Sequence, residues 1–151
     1  MTTPSPFYLA GVDPVGAATG WLAAENTPLA ELIASMATGE GRHVGPDNAP
    51  PFPRLQITDS NADLRGFTGL HWVSLTIAVL GDPDGRPGKA VLRQLAVATV
   101  EWLHAMTEVP VVGGCVFTEV TGDGLAWSPL PPHNQPRYVV TSTLWSHPAP
   151  S

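Results

Sequence analysis

Alternation of apolar and polar positions is strongest from Leu70 to Leu80, LHWVSLTIAVL, the longest apolar, β-branched and aromatic run in the chain. A strand points successive side chains to opposite faces. One face therefore carries His71, Val73, Leu75, Ile77 and Val79, and the other Leu70, Trp72, Ser74, Thr76 and Ala78. The first is aliphatic and suits a helix-covered core. The second is smaller and more polar, so the sheet is expected to be well buried on one side only. A buried apolar helix is the competing reading; the β-branched content and the following GDPDGRPG turn cluster favour a central strand.

The remaining elements are arranged around this strand. Residues 1–12, with Pro4, Pro6, Phe7 and Tyr8, read as an extended arm that packs on another subunit or as a frayed terminus. Asp13-Pro14 is a helix start, with Asp as N-cap and Pro in the first turn; Val15, Ala18, Trp21 and Leu22 then form a stripe at helical spacing. Thr27-Pro28 repeats the device, with Glu31 placed to favour the helix N-terminus, a stripe of Leu29, Leu32, Ile33 and Met36, and an end at Gly39. Residues 39–53 read as a loop. Residues 52–58 read as a short strand with Leu55 and Ile57 on one face and Pro53 at its start, and 59–66 as a polar loop.

After the central strand, residues 82–88 form a turn cluster. Lys89 to Met106 is a long amphipathic helix with Leu92, Leu95, Ala96, Thr99, Trp102, Leu103 and Met106 on one side, closed off by Pro110. Val111-Val112 and Cys115–Val120 read as strand, with Gly113-Gly114 between them as a bulge, a bend or a close backbone approach. A turn at 121–124, a short strand at 125–128, a proline-rich loop at 129–136, a last strand at 137–147 and a mobile tail at 148–151 complete the chain. The expected fold is α+β: a single domain, 1–151, with a mainly antiparallel sheet of four to five strands and the helices on one face.

Composition narrows the function. Only 13% of the 151 residues are charged against 43% hydrophobic, so much of the surface is neutral; it is covered by partners or belongs to a loop-rich monomer. The net charge is −6, with one Lys and six Arg and no basic cluster, which argues against ordinary nucleic-acid binding and against polybasic membrane attachment. No stretch reaches the roughly 18 apolar residues of a membrane span, and the first residues lack the pattern of a signal peptide. Cys115 is alone, so no internal disulfide or cysteine-based zinc cluster is expected.

Catalytic chemistry finds little support. Gly39-Glu40-Gly41 precedes no helix and reads as loop. His43 and Asp47 share a loop without a third ligand at helical or strand spacing. His71 reads as a buried or sheet-margin histidine rather than a base. Asp82, Asp84 and Asp123 lack the twelve-residue calcium-loop pattern and read as turn formers. Ser, His and Asp occur in no nucleophile motif. No enzyme, cofactor or metal site is expected. Trp21 and Trp102 fall on helix stripes, whereas Trp72 and Trp145 fall on the sheet face away from the long helix, a position typical of interfaces; packing beneath a local loop is the alternative.

Several pieces then form a familiar series: "PFPRLQI", "GLHWVSLTIAVLG", a Gly/Asp linker, "KAVLRQLAVATVEWLHAM", "VFTEV", and "QPRYVVTSTLWSHP". In order and local residues, Phe52-Pro53-Arg54 and Arg137-Tyr138-Val139 among them, the chain resembles the tail terminator proteins of long-tailed phages, particularly of actinobacterial hosts. The resemblance implies a structural virion protein forming a hexameric ring at the head-proximal end of the tail tube, at the head-tail junction, after assembly in the host cytoplasm. It further implies a major tail tube protein on one side, a head-completion or stopper protein on the other, and duplex DNA passing through the lumen without specific binding. Net negative charge suits a sliding lumen, and a ring requires closing heterologous interfaces. The candidate contacts are Trp72 and Trp145 on the sheet, Phe7 and Tyr8 on the arm, and His43 and Pro132 on the loops at 39–53 and 129–136. Two alternatives stay open: a head-side connector or stopper, and a small non-viral α+β dimer that binds an apolar ligand.

Overall fold

A computed structural model describes residues 12–37, 41–65 and 70–150, without the side chains of 64, 65 and 123. The element order is α1 (Pro14–Ala23), α2 (Pro28–Met36), β1 (Val44–Gly45), β2 (Arg54–Arg65), β3 (Leu70–Leu80), α3 (Lys89–His104), β4 (Cys115–Trp127) and β5 (Arg137–Pro148). The strands form one sheet in the order β1-β2-β3-β5-β4, with β1 parallel to β2 and every other pair antiparallel. The fold is α+β, as the sequence pattern predicts.

Local chemistry sets the helix ends. Asp13 Oδ1 accepts from Gly16 N–H at 2.9 Å, and Thr27 Oγ1 accepts from Ala30 N–H at 3.1 Å, each ahead of a proline in the first turn. The second helix stops at Met36, before the expected Gly39, which lies outside the described residues. The long helix tightens into a 3-10 turn over Ala105–Glu108 ahead of Pro110.

The odd positions of β3, Val73, Leu75, Ile77 and Val79, are buried in one cluster with Leu92, Leu95, Ala96 and Leu103 of α3, Leu22 of α1, and Leu29 and Ile33 of α2. Trp21 and Trp102 clasp α1 to α3. Their rings stack at 4.4 Å, 11° from parallel, and each indole N–H donates to the other residue's carbonyl, at 2.7 and 3.0 Å.

Several segments differ from expectation, among them Val111-Val112, which forms only an isolated bridge from Val112 to Cys115 in place of a strand. Residues 59–65 continue β2 rather than forming a loop, and 121–128 belong mostly to one uninterrupted β4 rather than to a turn and a separate strand. Bulges explain both. The register slips between Ile57 and Asp59 in β2, and between Phe117 and Glu119 and between Gly122 and Gly124 in β4. One extra residue exchanges the inward and outward positions, which conceals the alternation that marks a strand. The loop at 39–53 also contains β1. Gly113-Gly114 forms a tight bend with positive φ at both residues, and a Cβ on Gly113 would fall 2.8 Å from Ala17 Cβ, so α1 sits against a backbone that only glycine allows. At the other end of the chain, β5 runs through Pro148 and Ala149 N–H reaches Gly114 O, so the segment expected to be a mobile tail from residue 148 is tied to the sheet that far.

Leu75 and Leu95 lie within 1% of complete burial. Leu75→Ala or Leu95→Ala is expected to cost about 2–5 kcal/mol of stability in chemical denaturation. Unchanged unfolding midpoints for both would contradict the packing of β3 beneath α3.

Candidate functional site

The sheet face turned away from the helices is the candidate interface. Its composition follows from the register. Trp72 pairs with Trp145, Asp63 with Trp72, and Glu119 with Trp145. Cross-strand partners share a face, so one row across four strands reads Asp63, Trp72, Trp145, Glu119. The next rows along the strands carry Asn61, Ser74, Thr143 and Thr121, then Asp59, Thr76, Thr141 and Gly124. Both tryptophans are half-buried, while Asp59, Asp63 and Glu119 are exposed. The result is a neutral, threonine-rich floor, two large rings at one end, and carboxylates on both flanks.

The opposite end of this face is covered. Phe52, Ala78 and Leu80 form a second small buried cluster there. Arg54, only 7% exposed, donates from Nε to Asp47 O and from Nη1 to Arg42 O, each at 2.6 Å, and Gly45 leaves room for the guanidinium, since a Cβ there would meet Nη2 at 2.8 Å. Gln135, also buried, donates to Gly81 O at 2.8 Å and exchanges amide hydrogen bonds with Asn48 at 2.8 and 3.0 Å. These bonds join the loop before β2, the end of β3 and the β4–β5 turn into one brace. The Phe52-Pro53-Arg54 triplet is thereby explained by packing: apolar plug, turn and internal clamp.

The other predicted contacts are dispersed. His43 is part-buried, with Nδ1 2.7 Å from Pro53 O. Pro132 is exposed in the β4–β5 turn. The Leu80–Arg137 pair near that turn stands eight rungs from Trp72–Trp145, roughly 25 Å at ~3.3 Å per residue. Phe7 and Tyr8 lie outside the described residues. The structure therefore brings together Trp72 and Trp145 and adds Asp59, Asp63 and Glu119, which sequence reasoning missed. A signal for the acids existed: apolar positions change from odd at Leu55 and Ile57 to even at Ala62 and Leu64, as a strand with one bulge requires.

Elsewhere, a groove of about 530 Å³ runs between α1, α2 and residues 41–44, with Leu22, Ile33 and Val44 among its lining and Glu25, Glu31 and Arg42 at its polar positions. His71 is buried opposite Ser146 at the end of β3. Cys115 is buried and free, and burial, then the charge of Asp13, raises its thiol pKa and holds it protonated. Among the described residues no three His, Cys, Asp or Glu side chains gather as a metal site, and no helix is long and apolar enough to cross a membrane.

No family model and no curated protein matches the chain. A solved structure does share the fold: a chain from the virion of a native gene transfer agent particle superposes with a TM-score of 0.62 at 18% identity, over 93% of this chain and 98% of that one.

Replacing Arg54 with Met keeps the apolar stem but leaves the carbonyls of Asp47 and Arg42 without their donor. We expect a loss of about 1–3 kcal/mol and faster proteolytic cleavage within residues 42–48. Cleavage and melting identical to the parent would remove Arg54 from the role of clamp.

Proposed function

We propose that this protein is a structural component of a phage-like virion, and within that class a tail terminator: a hexameric ring that ends growth of the tail tube and joins it to the head. The observation that carries the reading is the fold shared with the gene transfer agent virion chain along almost the full length of both. The order of elements and local residues that resembles tail terminators supports the finer assignment.

The sheet suits a ring. Closing a ring head to tail requires two different surfaces on opposite sides of each subunit. Among the described residues β4 forms one edge of the sheet, and at the other β1 pairs only with Leu55 and Gln56, so β2 from Ile57 onward continues as an edge. Such edges pair readily with another chain. Trp72 and Trp145 form a further contact, directed at a neighbour along the tail axis. The net charge of −6 favours a lumen through which duplex DNA slides without being held.

Deletion of the gene in its parent phage, followed by electron microscopy, tests the assignment. Tails of excessive or irregular length, unattached to heads, are the expected result. Tails of normal length beside leaking heads would assign a head-side connector instead, and normal joined particles would reject both. In a separate measurement, purified protein should not retain duplex DNA at about 0.15 M salt; submicromolar affinity there would overturn the sliding lumen.

A further inference from the structure

We infer that the groove between α1, α2 and residues 41–44 receives the N-terminal segment, residues 1–11, of a neighbouring copy of this chain. The inference rests on the ring reading and deepens it by naming what passes between adjacent subunits.

The receiving site is lined by described residues. Buried Leu22 and Ile33, with Ala30, Ala34 and Val44, make it apolar. Its volume of about 530 Å³ falls in the range of pockets that bury most of a ligand. Glu25, Glu31 and Arg42 at its polar positions mix both signs, so it selects no strongly charged occupant. Residues 1–11, MTTPSPFYLAG, carry no charged side chain and place Phe7, Tyr8 and Leu9 in succession. Aromatic side chains are enriched at interfaces. Pro4 and Pro6 fix φ at two positions, which lowers the ordering cost of docking.

The course of α1 decides between copies. Residues 1–11 join the described chain at Val12, just ahead of the Asp13 cap. Early in α1, Ala17 packs against Gly113, which immediately precedes β4; a Cβ on Gly113 would lie 2.8 Å from Ala17 Cβ. At the other end of α1, Leu22, Ala23 and Ala24 line the groove together with Val44 of β1. β4 and β1 are the outermost strands of the sheet. The ten residues of α1, about 15 Å long, thus carry the chain from the β4 side towards the β1 side. The exit of the segment and the groove lie on opposite sides, as head-to-tail closure requires. Phe7 precedes Val12 by five residues, which reach roughly 17 Å when extended, enough to cross a junction between neighbouring strand edges. To enter its own groove, the segment would have to double back along α1.

The test uses the full chain with Tyr8→Cys/Ala34→Cys, oxidised at high concentration. Ala34 is exposed on α2. Non-reducing electrophoresis should give a ladder of disulfide-linked copies ending in a closed ring. Tyr8→Cys/Ala90→Cys, whose second site is exposed on α3, is the control and should stay monomeric; buried Cys115 is present in both. A bridge within one chain, equal ladders from both variants, or no bridge at all would overturn the inference. Without cross-linking, Phe7→Ala/Tyr8→Ala and Ala34→Glu should each raise the Kd of self-association at least about tenfold. The melting temperature of Ala34→Glu should match the parent's, because Glu is a good helix former at an exposed site. Undiminished association in either variant would overturn the inference, as would a small apolar molecule that co-purifies with the parent and is lost in Ala34→Glu. An intermolecular ladder beside normal tails after gene deletion would keep the exchanged segment and remove the terminator role. Bridges confined to single chains beside overlong tails would do the reverse.

Discussion

The ten-pair ladder between β3 and β5 is the constraint on which the rest depends. It runs without a slip from Leu80–Arg137 to His71–Ser146, so the two central strands share one division into inner and outer positions. In β3 the inner Val73, Leu75, Ile77 and Val79 are aliphatic and share the core with α3, while the outer Trp72, Ser74, Thr76 and Ala78 lie outside that cluster. β5 sets Tyr138, Val140, Ser142 and Leu144 on the inner side and Val139, Thr141, Thr143 and Trp145 on the outer. A one-residue shift would expose Val73, Leu75, Ile77 and Val79 and bury Trp72, Ser74 and Thr76. The hydrophobic contrast between these sets makes the register stiff.

The flanking strands accommodate that fixed centre by bulging. Residue 58 in β2, and residues 118 and 123 in β4, are the extra ones that restore agreement with the ladder. Their effect is chemical as well as geometric, because the slips place Asp59, Asp63 and Glu119 on the open face beside the tryptophans. Gly122, just before the second β4 bulge, lets α3 come close: a Cβ there would lie 3.3 Å from Val100 Cγ1. The same sheet therefore has a helix-covered side that is apolar and tightly packed and an open side with a directional charge pattern.

At the far end of the sheet, proline-rich loops that look like mobile contact elements are internal braces. Arg54, His43, Asn48 and Gln135 spend their donors on backbone carbonyls and on each other. The Trp row at the opposite end and the brace at this one give the sheet two chemically different ends.

The sequence by itself determined the elements whose signals are local. Asp13-Pro14 and Thr27-Pro28 cap helices within a few residues, the stripe from Leu92 to Met106 has unbroken helical periodicity, and the alternation of Leu70–Leu80 separates His71 and the aliphatic residues from Trp72. These rest on covalent geometry and short-range hydrogen bonds, so they are legible without a fold. Only the tertiary structure decided what depends on partners distant in the chain: that β2 and β4 continue through polar stretches by bulging, that Trp21 and Trp102 clasp, that Gln135 meets Asn48, and that Asp63 and Glu119 flank the Trp pair. A bulge is defined by the strand opposite it, and a row across a sheet by the registers of four strands at once. Both arise from pairing energies between residues tens of positions apart, which no local window of the chain contains.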